Sequence, residues 1–187
     1  MRVIAGQFRS RPLQSLHGLD IRPTSDRLRE TLFNVLTAGN PQALEGSVWI
    51  DLFAGTGAVG IEAISRGAAM VHFVECSRRA VELIRKNVAS LKIQQGYRIL
   101  QQEAVHAISE LERDLVPADY VFLDPPYCDR LAYQKTLEAI ADSTLGKTAR
   151  VIAEHEKRFD PGERIGNLQR TRKLEQGDVA LSFYALG

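Results

Sequence analysis

Cysteine is scarce in this chain, and the two that occur are badly placed for a cross-link or a metal. Cys76 and Cys128 lie far apart and outside any C-x-x-C spacing. That argues against a disulfide framework and a zinc site, predicts no bound metal, and fits a reducing cytosol. Long apolar runs are missing too, and none approaches the length needed to cross a bilayer. The stretch from Met1 to Arg9 has no apolar segment of signal-peptide length, so the expected location is cytoplasmic. No internal repeat and no low-complexity linker stand out. Nor is there an excess of one charge: the formal net charge is +1. The total announces no polyanionic partner, so the distribution of charge matters more. What the chain does have is length and core material, with 187 residues of which 44% are apolar. One domain with a sizeable core is expected, and wholesale disorder is not.

From Val48 the pattern alternates strand and helix. Strands are expected at 48–52, 70–75, 97–102, 119–123 and 150–154. Helices are expected near 58–66, after Ser77, near 104–112 and near 130–142. The helix after Ser77 carries Val81, Ile84, Val88 and Leu91 on one face. Strands separated by helices imply a mainly parallel sheet with right-handed crossovers. The tail differs, because 168–174 and 179–186, split by Gln176-Gly177-Asp178, read as an antiparallel hairpin. Ahead of the core, two short strands are expected around Val3-Ile4-Ala5 and Pro12–Leu16. A helix then follows, capped by Thr24 or Ser25, with Leu28, Leu32, Val35 and Leu36 as its apolar stripe. The expected whole is a single α/β domain over 1–187: a hairpin extension at 1–20 and a catalytic core at 21–187.

Two motifs carry chemistry. In Gly55-Thr56-Gly57-Ala58-Val59-Gly60 the G-x-G-x-x-G spacing follows a strand, and Glu75 comes at the distance of a ribose-binding acid. That much is also a dinucleotide fingerprint. Asp51 discriminates, because a carboxylate at the strand end repels a pyrophosphate laid on the helix N-terminus. S-adenosylmethionine has no phosphate there and carries a sulfonium and an ammonium, which Asp51 suits. On this reading Asp51, Phe53, Gly55, Thr56 and Gly57 form the loop around the cofactor. Glu75 accepts from the ribose hydroxyls, Glu103 lies near the adenine amino group, and the Ala104 backbone lies near the ring. The plain structural alternative is a turn or helix-capping role for Asp51, and a structural role stays open for Glu103 too.

The second motif is Asp124-Pro125-Pro126-Tyr127, at the end of the fourth strand. Proline offers no N–H, so the turn presents acceptors. An exocyclic amino group on a base is a poor nucleophile because its lone pair is delocalised. Asp124 and the Pro125 carbonyl can accept its two N–H bonds and aim that lone pair. Tyr127 offers a face for a base taken out of its stack. No covalent nucleophile is needed, so Cys128 reads as small filler, and His72 and His155 read as strand or core positions. Arg2, Arg9 and Arg11 suit backbone phosphates as well as a solvated surface. Arg22, Arg27 and Arg29 have no core explanation, and Arg164, Arg170, Arg172 and Lys173 form a second basic run without an acid between them.

Nearly the whole chain resembles the RsmD-type family of 16S ribosomal RNA guanine-N2 methyltransferases. The marks are Met1-Arg2-Val3-Ile4-Ala5-Gly6, the segment Arg22-Pro23-Thr24-Ser25-Asp26-Arg27-Leu28-Arg29-Glu30-Thr31-Leu32-Phe33-Asn34, then Asp51–Gly57 and Asp124–Tyr127. The resemblance implies a class I methyltransferase fold whose last sheet strand runs antiparallel, with S-adenosylmethionine as cofactor. It implies that Arg22–Asn34 closes over the cofactor and that the N-terminal hairpin, with Arg2, Arg9, Arg11 and Arg22, helps hold RNA. The implied partner is 16S rRNA in a small ribosomal subunit or assembly intermediate, and a monomer with no membrane contact is expected. Cys76 after Glu75, and glutamate rather than aspartate at Glu103, depart from the family pattern. DNA adenine and protein glutamine stay open as substrates of the same chemistry. A nicotinamide-dependent oxidoreductase and a non-catalytic RNA-binding scaffold are the more distant alternatives.

Overall fold

A computed structural model describes residues 1–15 and 25–187. The expectations that rest on Leu16, Arg22 and Thr24 lie outside the described residues. Helix α1 (Asp26–Leu36) comes first, followed by β1 (Val48–Leu52), α2 (Ala58–Ser65), β2 (Met70–Val74), α3 (Arg78–Ser90) and β3 (Tyr97–Leu100). The chain continues through α4 (Ala104–Arg113), β4 (Tyr120–Leu123), α5 (Arg130–Asp142), α6 (Leu145–Thr148) and β5 (Arg150–Glu156). It ends with β6 (Arg164–Ile165), β7 (Leu168–Gln176) and β8 (Val179–Leu186). One sheet runs in the order β3-β2-β1-β4-β5-β8-β7-β6. The first five of these strands are parallel, and β8 is antiparallel to both β5 and β7.

The strands alternate between two cores. Trp49, Val71, Phe73, Tyr120, Phe122 and Ile152 point to the face covered by α1, α2 and α3. Ile50, Leu52, Val74, Val121, Leu123, Val151 and Ala153 point to the face covered by α4, α5 and α6. Both sets are apolar because helices cover both sides, as in other parallel sheets. The chain leaves β1 in one direction for β2 and returns to its other side as β4. The carboxyl ends of β1 and β4 therefore lie together at a topological switch point, with Leu52 and Leu123 as Cα partners. Ligands bind at such points in open α/β sheets.

Three expectations change in detail. On α1 the buried stripe is Leu28, Arg29, Leu32, Phe33 and Leu36, with Ser25 Oγ accepting from the Leu28 amide. Phe33 displaces Val35 from the stripe because its ring stacks on Trp49 at 5.3 Å, and Trp49 stacks in turn on Tyr120 at 4.7 Å. The N-terminal pair of strands shrinks to one antiparallel bridge, Arg2 with Pro12. The amides of Ile4 and Ala5, which a ladder would need, go instead to the carboxylate of Glu62 at 2.7 and 3.0 Å. The short elements α6 and β6 are additions to the expected order, and at four and two residues they carry too little periodicity to detect. Among the described residues, no helix is long and apolar enough to cross a membrane.

Candidate active site

The glycine loop joins β1 to α2. Phe53 adopts φ 60°, unusual for a bulky residue, followed by Gly55 at φ 54° and Gly57 at φ 75°. Gly57 occupies the N-cap position of α2. At Gly60 the reason for glycine is space, since a Cβ would stand 2.3 Å from Phe73 Cε1. Asp51 is 2% exposed, and its Oδ2 accepts the Gly60 amide of α2 at 2.9 Å. Burial pushes the Asp51 carboxyl up to about 8, the Gly60 amide opposes that, and neighbouring Glu75 adds to it. The capping alternative for Asp51 is thus part of what the residue does.

Glu75, at the end of β2, braces the same loop. Its Oε2 accepts the Gly55 amide at 2.9 Å and its Oε1 accepts the Ser77 amide at 2.8 Å. A carboxylate oxygen has two lone pairs, so each can accept one further bond. Phe53, Glu75, Cys76, Gln102, Glu103 and Ala104 line one narrow crevice beside the loop. Four expected cofactor residues meet there. Glu103 is exposed at the N-cap of α4 and makes no cap bond with its side chain. The Cys76 thiol is pushed up by burial first, then by Glu75 and Glu103.

The second motif lies across the switch point. Asp124 and Tyr127 are half-buried, Pro125 is buried and Pro126 is exposed. Two tyrosines fix the turn, and one residue of β5 serves both. The Tyr127 hydroxyl donates to Glu154 Oε1 at 3.1 Å. The Tyr133 hydroxyl, on α5, lies 3.1 Å from the Pro125 carbonyl and 2.9 Å from the Glu154 carbonyl. Burial pushes the Tyr133 phenol well up, and Asp124 adds to the effect, so the group stays a donor. Cys128 is exposed and fills no core space. His72 and His155 are buried strand residues as expected, and His155 Nε2 lies 2.9 Å from Ser182 Oγ.

The N-terminal segment is anchored to α2 and to the loop. Glu62 is fully buried and also pairs with Arg66 at 2.7 Å. Gly6 packs so closely on Ser65 that a Cβ would stand 1.8 Å from its carbonyl oxygen. Asn87 of α3 accepts the Gln14 amide at 2.8 Å and donates to the carbonyls of Gln14 and Thr56 at 3.1 and 2.9 Å. The segment thus touches the cofactor loop through one buried amide. Arg2, Arg9 and Arg11 remain exposed on its outer side. Arg29 is no surface residue: it is fully buried, and its Nη2 donates to the Arg2 carbonyl at 2.5 Å and to Asp26 at 2.8 Å. Its Nε and Nη1 have no hydrogen-bond partner among the described residues. The second basic run is smaller than the sequence suggests. Arg170 and Lys173 turn to Asp160 at 2.6 and 3.4 Å, leaving Arg164 and Arg172 outside any ion pair among the described residues.

Glu62, Asn87, Tyr133 and Glu154 escape a motif search. Three of them still leave a signal, because each is a polar group at an apolar position. Glu62 interrupts the apolar α2, Asn87 falls in the buried stripe of α3, and Glu154 follows Val151-Ile152-Ala153. A buried polar group has to be hydrogen-bonded, so a polar intruder in a core pattern points to a partner.

Comparison with known proteins agrees with this architecture. The family described as Conserved hypothetical protein 95 matches residues 1–185. "Ribosomal RNA small subunit methyltransferase D" of Escherichia coli (strain K12) is 34% identical over 185 residues, covering 98% of this chain and 89% of the relative. The structure of a hypothetical protein of Thermus thermophilus has a TM-score of 0.80 at 25% identity, covering 100% of this chain and 99% of that one. An RNA methyltransferase of Salinibacter ruber, solved in complex with S-adenosyl-L-homocysteine, shares the fold. Its TM-score is 0.66 at 18% identity, over 88% of this chain and 93% of that one. The chain belongs to the Conserved hypothetical protein 95 family, the RsmD family, on the class I S-adenosylmethionine-dependent methyltransferase fold.

Proposed function

We propose that this protein methylates the exocyclic N2 amino group of a guanine in small-subunit (16S) ribosomal RNA. It acts as a cytoplasmic monomer on a small ribosomal subunit or an assembly intermediate. The observation that carries the reading is the pairing of Leu52 with Leu123, which seats the glycine loop and the acceptor turn side by side at the switch point. The similarity to relatives named as ribosomal RNA small subunit methyltransferases supports the substrate class.

The residues present suit S-adenosylmethionine, which supplies a methyl group already activated on a sulfonium. Asp51, which burial leaves largely protonated in the free protein at neutral pH, would ionise against that positive charge. Glu75 has acceptor capacity left for ribose hydroxyls, and Phe53, Glu103 and Ala104 line the crevice for the adenine. Across the switch point, Asp124 and the Pro125 carbonyl accept the two N–H bonds of the guanine amino group. Tyr133 uses one lone pair of that carbonyl and leaves the other for the substrate. The nitrogen lone pair is then aimed at the donor side, and positive charge growing on nitrogen is met by Asp124. Tyr127, its hydroxyl tied to Glu154, gives the base a face to lie on. The surplus proton leaves to Asp124 or to water.

Mass mapping of ribosomal RNA, after unmodified small subunits are exposed to the protein and labelled cofactor, tests this. A methyl group on one guanine N2 is expected. Transfer to DNA adenine alone, or to a protein glutamine alone, would overturn the substrate assignment. Tight NADH binding without S-adenosylhomocysteine binding would overturn the cofactor.

A further inference from the structure

A groove of about 450 Å³ lies between α5 and the segment that joins β5 to β6. Its walls include Arg130, Tyr133, Gln134, Phe159, Arg164 and Ile165. It shares a wall with the acceptor turn, because the Tyr133 in its floor is the residue whose hydroxyl meets the Pro125 carbonyl. It also lies on the rim that carries the chemistry. Strand β5 runs parallel to β4, so the segment after Glu156 leaves from the same edge of the sheet as Asp124–Tyr127.

The groove combines two arginines outside any ion pair among the described residues with one half-buried aromatic ring, Phe159. Arg130 and Arg164 are exposed and make no ion pair among the described residues. The Arg130 guanidinium stands 5.4 Å from the centre of the Phe159 ring, and Phe159 tilts against Tyr133 at 5.1 Å. Two acids, Glu138 and Asp160, also line it. Burial would raise the Asp160 carboxyl, but Arg170, the Gly162 amide and Lys173 outweigh it and hold it down at about 2. Glu138 accepts from Gln134 at 2.9 Å. Cations beside a half-buried ring are the combination that binds single-stranded nucleic acid: the cations meet phosphate and the ring meets a base face.

We propose that this groove holds the RNA strand immediately beside the target guanine, with Arg130 and Arg164 on its phosphates and Phe159 against an unstacked neighbouring base. The inference rests on the function proposed above and extends it. A flipped base needs its flanking backbone held, or the strand falls back into its stack. The groove is well placed for this, since it begins where the acceptor turn ends. On the same reading Arg2, Arg9 and Arg11 contact RNA elsewhere, and the groove holds it next to the turn.

The test uses R130Q, R164Q and the double variant, with small ribosomal subunits as substrate and S-adenosylhomocysteine affinity as the control. The expected result is a several-fold rise in KM for subunits in each single variant and a larger rise in the double. kcat and S-adenosylhomocysteine affinity stay at wild-type values. The slope of log Kd against log salt for single-stranded RNA flattens by about 0.7 for each phosphate that loses its arginine. An unchanged KM and salt slope in the double variant, with wild-type protein active on subunits, would overturn the groove and leave the function standing. A wild-type protein that binds cofactor but transfers nothing to subunits would overturn the function itself. F159L keeps an apolar filler and removes the ring. It should raise KM as well, and an unchanged KM there would remove the stacking role while the phosphate contacts stood.

Discussion

The two halves of the candidate active site are built differently. The cofactor half is made of backbone: glycines at positive φ, and carboxylates that reach amides nine residues away (Asp51 to Gly60), twenty away (Gly55 to Glu75) or two away (Glu75 to Ser77). Most of its parts belong to β1, β2 and the loops and helix start that follow them, with Glu103 and Ala104 added from the start of α4. The acceptor half is made of side chains from elsewhere. The turn at 124–127 is short, and it is held by Tyr133 of α5 and by Glu154 of β5. A backbone cradle tolerates little substitution but depends on little else. A turn held by two tyrosines depends on residues remote from it in the chain.

Four changes break or sharpen that contrast. Asp124→Ala removes the carboxylate proposed to accept from the reacting amino group. By analogy with losing one preorganised electrostatic group, kcat falls by about 10²–10³-fold. S-adenosylhomocysteine affinity, measured by calorimetry, should not move, and a parallel loss of affinity would mean the halves are one unit. Gly60→Ala strikes the other half. Its Cβ meets Phe73, so overpacking should destabilise the fold by about 1–3 kcal/mol in denaturant titration. Cofactor affinity falls with it, because Asp51 is displaced along with the Gly60 amide it accepts.

Tyr133→Phe keeps the ring and deletes the hydroxyl. Its single O–H proton is shared between two carbonyls, and leaving them without it costs about 1–3 kcal/mol if they stay dry. kcat drops and cofactor affinity holds; a wild-type kcat would show that the tether does not aim the turn. The last change is in pH. The Asp51 carboxyl is raised from its ordinary 3.8 to about 8, chiefly by burial. A raised acid adds stability that is complete below the unfolded value and is lost as pH rises through the folded one. Cofactor-free protein should therefore lose stability between about pH 4 and pH 8. Binding of the cationic cofactor should strengthen over the same window, by up to about tenfold per pH unit, and level off above it. Asp51→Asn should flatten both profiles, and a pH dependence that survived in it would belong to another group.

Much of this is legible in the sequence, for a physical reason. Strands buried on both faces read as apolar runs, and Val48–Leu52 and Tyr120–Leu123 are such runs. Helix caps are readable where the capping side chain sits next to its amide, as at Ser25 and Ser77. The N-terminal segment reads as a pair of strands because propensity cannot show where an amide will go. The amides of Ile4 and Ala5 prefer a buried carboxylate 58 and 57 positions away. Arg29 reads as a surface cation, although the helix turns it inward to the Arg2 carbonyl. The second basic run looks open because the acid that closes it, Asp160, lies outside the run.

The sequence by itself determined the order of the main strands and helices of the core, the glycine loop with its acids, and the turn at 124–127 with its proline carbonyl. These are local, because glycine, proline and the alternation of apolar residues act within a few positions. Only the tertiary structure decided what holds them. It placed Glu154 under two tyrosines, Glu62 under the N-terminal segment, and Asn87 between that segment and Thr56. Each is a buried polar group whose partner is remote in the chain. Such pairs form because an unpaired buried polar group is costly, and that cost is set only once the chain has folded.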